Sequence, residues 1–207
     1  RASDPRMMKT SKAVGASALM MASVIAGSAA SAEEFRNTIT GEDLRVLETA
    51  NPEGRDTEAV RKFLETGINL YTEVKACLPK GEEVYLTSCS GCHGHLAEGK
   101  VGPGLNDSYW TYPKNKTDKG LFETIYGGAQ GMMGPHSDLQ LDEMLKLIAW
   151  IRHLYTGDVN EADWLTDEQK KAFTPYKAPE HASDGDGGTQ TAAAAPADAG
   201  ECKVSAN

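Results

Sequence analysis

Residues 89–95 read Cys-Ser-Gly-Cys-His-Gly-His, which places two thiols and two imidazoles within seven residues. A structural zinc site needs a second pair of ligands, and a thioredoxin-like dithiol needs a neighbouring βαβ pattern. The two remaining cysteines stand alone, and the flanking sequence shows no run of strands. Cys-x-x-Cys followed directly by His is instead typical of covalently bound haem, with two thioethers on the porphyrin and the imidazole on the iron. We therefore predict one haem c bound through Cys89 and Cys92, with His93 as the proximal iron ligand.

The residue on the other side of the iron is predicted to come from the loop 131–136, which reads Gly-Met-Met-Gly-Pro-His. Its glycines let the backbone approach a flat cofactor. A thioether opposite an imidazole raises the reduction potential relative to two imidazoles. We predict Met133 as the distal ligand and keep His136 as the alternative, with Met132 or an open site as a third possibility. Met144 lies on the apolar face of a predicted helix, where packing explains it.

The stretch 102–105, Gly-Pro-Gly-Leu, follows the haem motif closely. A carbonyl group there would accept the second ring N–H of His93 and fix its tautomer. We therefore place Pro103 and Leu105 in the haem pocket, with Leu105 packed on the porphyrin. Three aromatic residues with polar tips belong either to this pocket or to the ordinary core: Tyr109, Trp110 and Tyr112.

Apolar residues at spacings of three and four, together with capping signals, predict helices and no convincing strand. Thr57 and Gly67 are the expected ends of one helix, and Thr166 with Gln169 forms an expected capping box. Gly81 and Tyr85 share one side of a helix that leads to Cys89, where Gly81 leaves room for a crossing helix. The sequence thus predicts an all-α shell around a haem. The expected helices are 58–66, 81–87, 121–126, 139–155 and 167–173.

The first 32 residues are predicted to be six upstream residues followed by a signal peptide. Lys9 and Lys12 precede a small apolar stretch over 13–27, and Ala30-Ser31-Ala32 is a typical cleavage site. That stretch is shorter than the roughly twenty residues that a membrane crossing needs, and no later stretch is long enough, so we expect no membrane association. The mature protein is therefore expected to be soluble and exported.

The charge of the chain is acidic, at −9 for all 207 residues. Removal of residues 1–32, which carry four basic residues and one acidic residue, would change it to −12. Nucleic-acid binders need a basic face, so nucleic acid is excluded as a partner. The balance is compatible with a basic partner protein or with an ordinary acidic surface.

Cys77 and Cys202 remain once Cys89 and Cys92 are assigned to haem. An exported protein keeps disulfides, so we predict that they pair; two free thiols are the alternative. The bond would close a loop of about 125 residues, for which chain entropy gives about 4–5 kcal/mol at most. The composition between Ala182 and Gly200 predicts a disordered tail, which Cys202 would tie back.

These motifs together resemble a class I cytochrome c over residues 78–157. More narrowly, residues 57–71, the haem motif, the loop 131–136 and the stretch 141–157 resemble the cytochrome c-L family. The implied boundaries are an N-terminal extension at 33–77, the haem domain at 78–157, a C-terminal extension at 158–181 and the tail at 182–207.

The resemblance to cytochrome c-L implies a periplasmic one-electron carrier, not an enzyme. It would accept electrons from methanol dehydrogenase, which contains pyrroloquinoline quinone, and pass them to another cytochrome c in methanol oxidation. A calcium ion near the haem is also implied. The alternatives are a haem enzyme or gas sensor with an open sixth site, and a haem carrier for another dehydrogenase.

Overall fold

Helices joined by loops make up the part of the chain that the computed structural model describes, residues 33–177 and 200–204. The predicted signal peptide and most of the predicted tail lie outside these residues. Within them there is no strand, only one isolated bridge between Arg36 and Asp43, and no helix has both the length and the apolar character to cross a membrane. The helices are α1 (Val46–Thr49), α2 (Glu58–Thr66), α3 (Leu78–Ser88), α4 (Ser90–His93), α5 (Asp118–Gly127), α6 (Leu141–His153) and α7 (Asp167–Ala172), with 3-10 turns at Lys75–Cys77, Pro113–Lys116 and Val159–Glu161.

The capping signals mark the ends of α2 and α7 as predicted. The Thr57 hydroxyl accepts a hydrogen bond from the Val60 N–H, and Gly67 ends α2 with φ +70°. Thr166 and Gln169 form the reciprocal capping box at the start of α7. These ends are predictable because each depends on residues within one turn of the boundary.

Helix α3 crosses α6 at close range, and this contact supports the haem motif that follows α3. A Cβ atom on Gly81 would collide with the Lys146 carbonyl oxygen and lie 3.0 Å from the Trp150 Cβ atom, so only glycine allows this approach. On the same side of α3, the buried Tyr85 hydroxyl donates to the Gly94 carbonyl, 2.7 Å away. This bond anchors the end of the haem motif to the core.

Three helices differ from their predicted bounds by more than one residue, and the first, α3, begins at Leu78 rather than at residue 81. Helix α5 begins at Asp118 rather than at residue 121, because Thr117 caps it by accepting from the Gly120 N–H. Gly120 is helical because its missing side chain lets the Lys114 carbonyl approach closely. Helix α6 is shorter than predicted at both ends, with Gln140 extended before it and Leu154 as its C-cap.

The N-terminal extension is part of the core. The Phe35 ring lies 5.6 Å from the Phe63 ring of α2 and 5.2 Å from the Phe122 ring of α5, measured between centroids. Phe63 and Phe122 lie 5.0 Å apart, which closes the cluster. Such a triangle of rings adds packing energy beyond the buried area alone.

The C-terminal extension packs against the last turn of α6, where Trp164 contacts one member of a buried ion pair. Arg152 donates to the Asp118 carboxylate over 2.9 Å, and both side chains are almost completely buried. The guanidinium contacts two aromatic rings, 5.1 Å from the centroid of Trp110 and 4.0 Å from that of Trp164. Trp164 thereby joins the extension to the haem domain.

Cys77 and Cys202 form a disulfide, with their Cα atoms 4.7 Å apart. Cys77 is fully buried at the start of α3. The bond brings the described end of the chain to the residue that precedes α3.

Candidate functional site

A cavity of about 440 Å³ opens beside α4. It is bounded by the loop 101–105, by α5 and by the loop 128–136, and most of its lining is apolar. Cys89, Cys92 and His93 line it, and so do Met133 and His136. The structure thus brings together all five predicted haem and iron ligands, including the alternative.

The two cysteines of the motif are separate thiols on one helical turn. Cys89 is half-buried, Cys92 is exposed, and they form no disulfide. Burial, with a smaller contribution from Cys92, raises the pKa of the Cys89 thiol to about 11. At neutral pH Cys89 is therefore protonated, unlike the thiolates that bind zinc or act as redox nucleophiles.

The imidazole of His93 is held in one tautomer. Its Nδ1 atom lies 2.8 Å from the Pro103 carbonyl oxygen, which can only accept a hydrogen bond. Nδ1 therefore carries the proton, and Nε2 keeps a lone pair for a metal. A Cβ atom on Gly102 would lie 2.7 Å from Cε1 of this ring, so the glycine makes room for the imidazole.

The loop 128–136 is folded back on itself. Gly128 has φ +81°, and the Ala129 N–H donates to the Met133 carbonyl over 3.0 Å. The His136 N–H donates to the Ile125 carbonyl of α5 over 3.0 Å. Met133 is half-buried and packs on the core, whereas Met132 is 82% exposed.

Of the other residues considered for the pocket, four line the cavity and one does not. Pro103, Leu105, Trp110 and Tyr112 line the cavity. Tyr109 does not line the cavity, and at 70% exposure it is not part of the core either.

Two polar residues of the cavity wall carried no recognisable sequence signal. The buried Thr124 hydroxyl lies 2.8 Å from Oδ1 of the buried Asn115, and both residues line the cavity. The sequence analysis placed Thr124 within the predicted helix 121–126 and assigned it no role at the site. The partner of each residue is set by tertiary packing, which local periodicity does not report.

The exposed part of the cavity lining carries no charged side chain. The lining contains no Asp, Glu, Lys or Arg, and Val101 and Met132 are the strongly exposed large hydrophobic residues in it. A ligand in the cavity would therefore meet solvent through an uncharged rim, and any steering by acidic residues would come from the surrounding surface.

The residues present fit a haem. The volume lies within the roughly 300–1,000 Å³ typical of cofactor sites, and the lining is mainly apolar. The motif supplies two thiols and one imidazole nitrogen with a free lone pair. In contrast, the described residues hold no group of three or more His, Cys, Asp or Glu side chains arranged for a metal ion. The calcium ion implied by the resemblance therefore finds no support.

This chain is similar to one protein family and to individual proteins of known sequence. Residues 76–151 match the family described as cytochrome C oxidase, cbb3-type, subunit III. Cytochrome c-L of Methylorubrum extorquens is 69% identical over 144 residues, which are 69% of this chain and 73% of that protein. Cytochrome c-551 of Bacillus subtilis is 31% identical over 80 residues, which are 39% of this chain and 66% of that protein.

Two solved structures are similar as well. The crystal structure of cytochrome cL from Hyphomicrobium denitrificans is 70% identical and has a TM-score of 0.67, covering 71% of this chain and 88% of that one. Cytochrome CL from the marine methylotrophic bacterium Methylophaga aminisulfidivorans is 54% identical and also has a TM-score of 0.67, covering 72% and 98%.

Proposed function

Because this chain belongs to the cytochrome c-L family, we propose that it carries single electrons in the periplasm from methanol dehydrogenase to another cytochrome c. Membership confirms the class I cytochrome c fold. It also implies a covalently bound haem c. It makes the chain an electron carrier of methylotrophy rather than an enzyme. The dehydrogenase, the downstream acceptor and the compartment are the proposed parts.

Cys89 and Cys92 would hold the haem by thioether bonds, and His93 would bind the iron through Nε2. The observation that carries this assignment is the 2.8 Å contact between His93 Nδ1 and the Pro103 carbonyl, which in the neutral ring places the proton on Nδ1 and the lone pair on Nε2. Once bound, the haem supplies a one-electron couple. The chain orients the imidazole through Pro103 and excludes water with the apolar wall around Leu105 and Trp110.

Met133 is the proposed distal ligand, with His136 as the alternative. Both line the cavity, but Met133 also packs on the hydrophobic core, which restricts its side chain. The backbone of the same residue is fixed by the Ala129 N–H. Met132 is a weak candidate because most of its side chain is in solvent.

Electrons would enter and leave at the uncharged rim, beside Val101 and Met132. Uncharged contacts there allow a close approach without the desolvation of charged groups. The net charge, −9 for the whole chain and −12 after removal of residues 1–32 with their charge of +3, would act over a longer range and steer a basic partner towards the protein. Association rates should therefore fall as ionic strength rises.

The partner is tested by stopped-flow mixing of the oxidised holoprotein with reduced methanol dehydrogenase. An unrelated quinoprotein dehydrogenase serves as the control. We expect rapid reduction with methanol dehydrogenase, slowing as salt is added, and slow reduction with the control. Equal rates with the two dehydrogenases would show that the partner is wrongly assigned.

The compartment is tested by cell fractionation and N-terminal sequencing of the purified haem protein. We expect it in the periplasmic fraction with Glu33 as its first residue. Recovery from the cytoplasm with residues 1–32 retained would contradict the proposal.

A further inference from the structure

The N-terminal extension contacts the end of α5, at the point where the loop 128–136 begins. Asn37 donates from Nδ2 to the Gly127 carbonyl over 3.1 Å. A Cβ atom on Gly127 would lie 3.0 Å from this nitrogen and 2.9 Å from a methyl carbon of Leu44. The extension is therefore packed closely against the last residue of α5.

The amide group of Asn37 makes bonds in two directions. Its Oδ1 accepts from the Ile39 N–H over 2.8 Å and from the Thr40 N–H over 3.0 Å, which closes a tight turn. Its Nδ2 is left to reach across to Gly127. One side chain thus fixes the local turn and joins it to a residue 90 positions away.

The residues on either side of Asn37 also contact α5. The Arg36 N–H donates to the Glu123 carboxylate over 2.8 Å, and the hydroxyls of Thr38 and Thr124 lie 2.8 Å apart. Glu123 is also paired with Lys119 over 2.7 Å. These contacts hold the middle of α5, while Asn37 holds its C-terminal end.

The loop after α5 has few ties of its own. Its hydrogen bonds in the described part of the chain join Ala129 to Met133, Gln130 to the Tyr112 hydroxyl, His136 to Ile125 and Leu139 to His136. Added Cβ atoms on Gly131 and Gly134 would meet nothing within 4 Å. The position of such a sparsely held loop depends on where α5 ends.

We propose that Asn37 is a positioning residue that holds the end of α5 and thereby orders the loop carrying the distal ligand. This inference rests on the proposed function, which gives the loop its ligand. It assigns the N-terminal extension a role at the haem site although the extension itself does not line the cavity.

The test is Asn37→Asp, in which the carboxylate keeps the acceptor of the turn but cannot donate to Gly127. Asn51→Asp is the matched control, because Asn51 accepts only from the nearby Glu53 N–H in its own turn. Asn37→Ser, which keeps a shorter acceptor, serves as a second variant if the first does not yield folded protein. The readout is amide hydrogen exchange of the exported holoprotein, measured by mass spectrometry on peptides from 128–136 and from α6.

We expect Asn37→Asp to speed exchange in 128–136 by roughly three- to tenfold, as loss of one hydrogen bond allows, with α6 unchanged. The far-red sulfur-to-iron band of the oxidised protein should weaken in the same variant. Exchange in 128–136 equal to that of Asn51→Asp would overturn the proposal, as would an equal increase in α6, which indicates general destabilisation.

The exchange measurement is independent of the dehydrogenase. If the wild type fails to accept electrons from methanol dehydrogenase but Asn37→Asp still loosens the loop, the electron-transfer proposal falls and the role of Asn37 stands. If the wild type accepts electrons from methanol dehydrogenase but Asn37→Asp leaves the loop unchanged, the electron-transfer proposal stands and the role of Asn37 falls.

Discussion

The Nδ1 atom of His93 and the carbonyl oxygen of Pro103 are 2.8 Å apart, and Gly102 lies against the same ring. A hydrogen bond from the second ring nitrogen makes an iron-bound imidazole a stronger electron donor. The backbone of residues 102 and 103 therefore sets both the orientation and the basicity of the proposed proximal ligand.

Gly102→Ala tests this relationship. Its new Cβ atom would push on the imidazole and weaken the bond to Pro103. A weaker donor favours the reduced iron, so the potential should rise by roughly 20–60 mV, the equivalent of one hydrogen bond. Potentiometric titration checks this, with Gly91→Ala as the control because a Cβ there meets open space. An unchanged potential in Gly102→Ala would show that the ring tolerates the displacement.

Replacement of each distal candidate in turn identifies the ligand. Met133→Ala should abolish the far-red sulfur-to-iron band of the oxidised protein and let the reduced protein bind carbon monoxide. His136→Ala should leave the band in place, because an imidazole contributes no sulfur. If the band persists in Met133→Ala, the sulfur comes from another methionine, and absence of the band in the wild type would favour His136.

Gly81→Ala should destabilise the fold, because the added methyl would collide with the Lys146 carbonyl and force α3 away from α6. Overpacking of this kind costs about 1–3 kcal/mol, which exceeds the gain in helix propensity. Urea unfolding measures the difference. Gly91→Ala, which also lies in a helix but whose Cβ meets nothing within 4 Å, should not destabilise the fold and should gain about 0.5–1 kcal/mol from helix propensity.

Loss of the disulfide should lower stability without loss of the haem. Cys77→Ala combined with Cys202→Ala removes a cross-link between residues 125 positions apart. We expect the unfolding free energy to fall by about 2–5 kcal/mol while the visible spectrum is retained. Thermal unfolding followed at a haem band checks both quantities in one experiment. A bleached variant would mean that the bond also supports the haem cavity.

His153 should make the protein less stable in mild acid. Burial, and to a lesser degree the charge of Lys75, lower its pKa below 6.5, and its ring contacts Trp150 and Tyr176. As the pH falls below about 6.5 the unfolded chain takes up this proton first, so the unfolding free energy falls.

His153→Gln removes that contribution. Urea unfolding at pH 7.5 and pH 5 should therefore give a smaller decrease for the variant than for the wild type. Burial raises the pKa of Glu73 and Glu82, which act in the opposite direction and are present in both proteins. A decrease of the same size in the two proteins would exclude His153 as the cause.

The haem motif and its helices were predictable because their signals are local. Cys89, Cys92 and His93 share one turn, the ends of α2 depend on Thr57 and Gly67, and the acceptor for His93 lies ten residues away. A pattern of this length can be read without knowledge of the fold.

The supports of the site were not predictable in this way. Asn37 meets Gly127 across 90 residues, and Arg36 meets Glu123 across 87. Helix α1 is a single turn whose sequence shows no periodicity, and the early start of α5 depends on the close approach of Gly120 to Lys114. Such contacts follow from how the elements pack, which a single sequence does not reveal.

The guanidinium of Arg152 lies 5.1 Å from the ring centroid of Trp110, which lines the cavity, and 4.0 Å from that of Trp164, which comes from beyond the haem domain. A polypeptide ending at residue 157 would lack Trp164 and leave this buried cation more accessible to water. The segment after α6 thus helps to keep the protein dry beside the cavity, and shortening the chain to a minimal carrier would make its interior wetter.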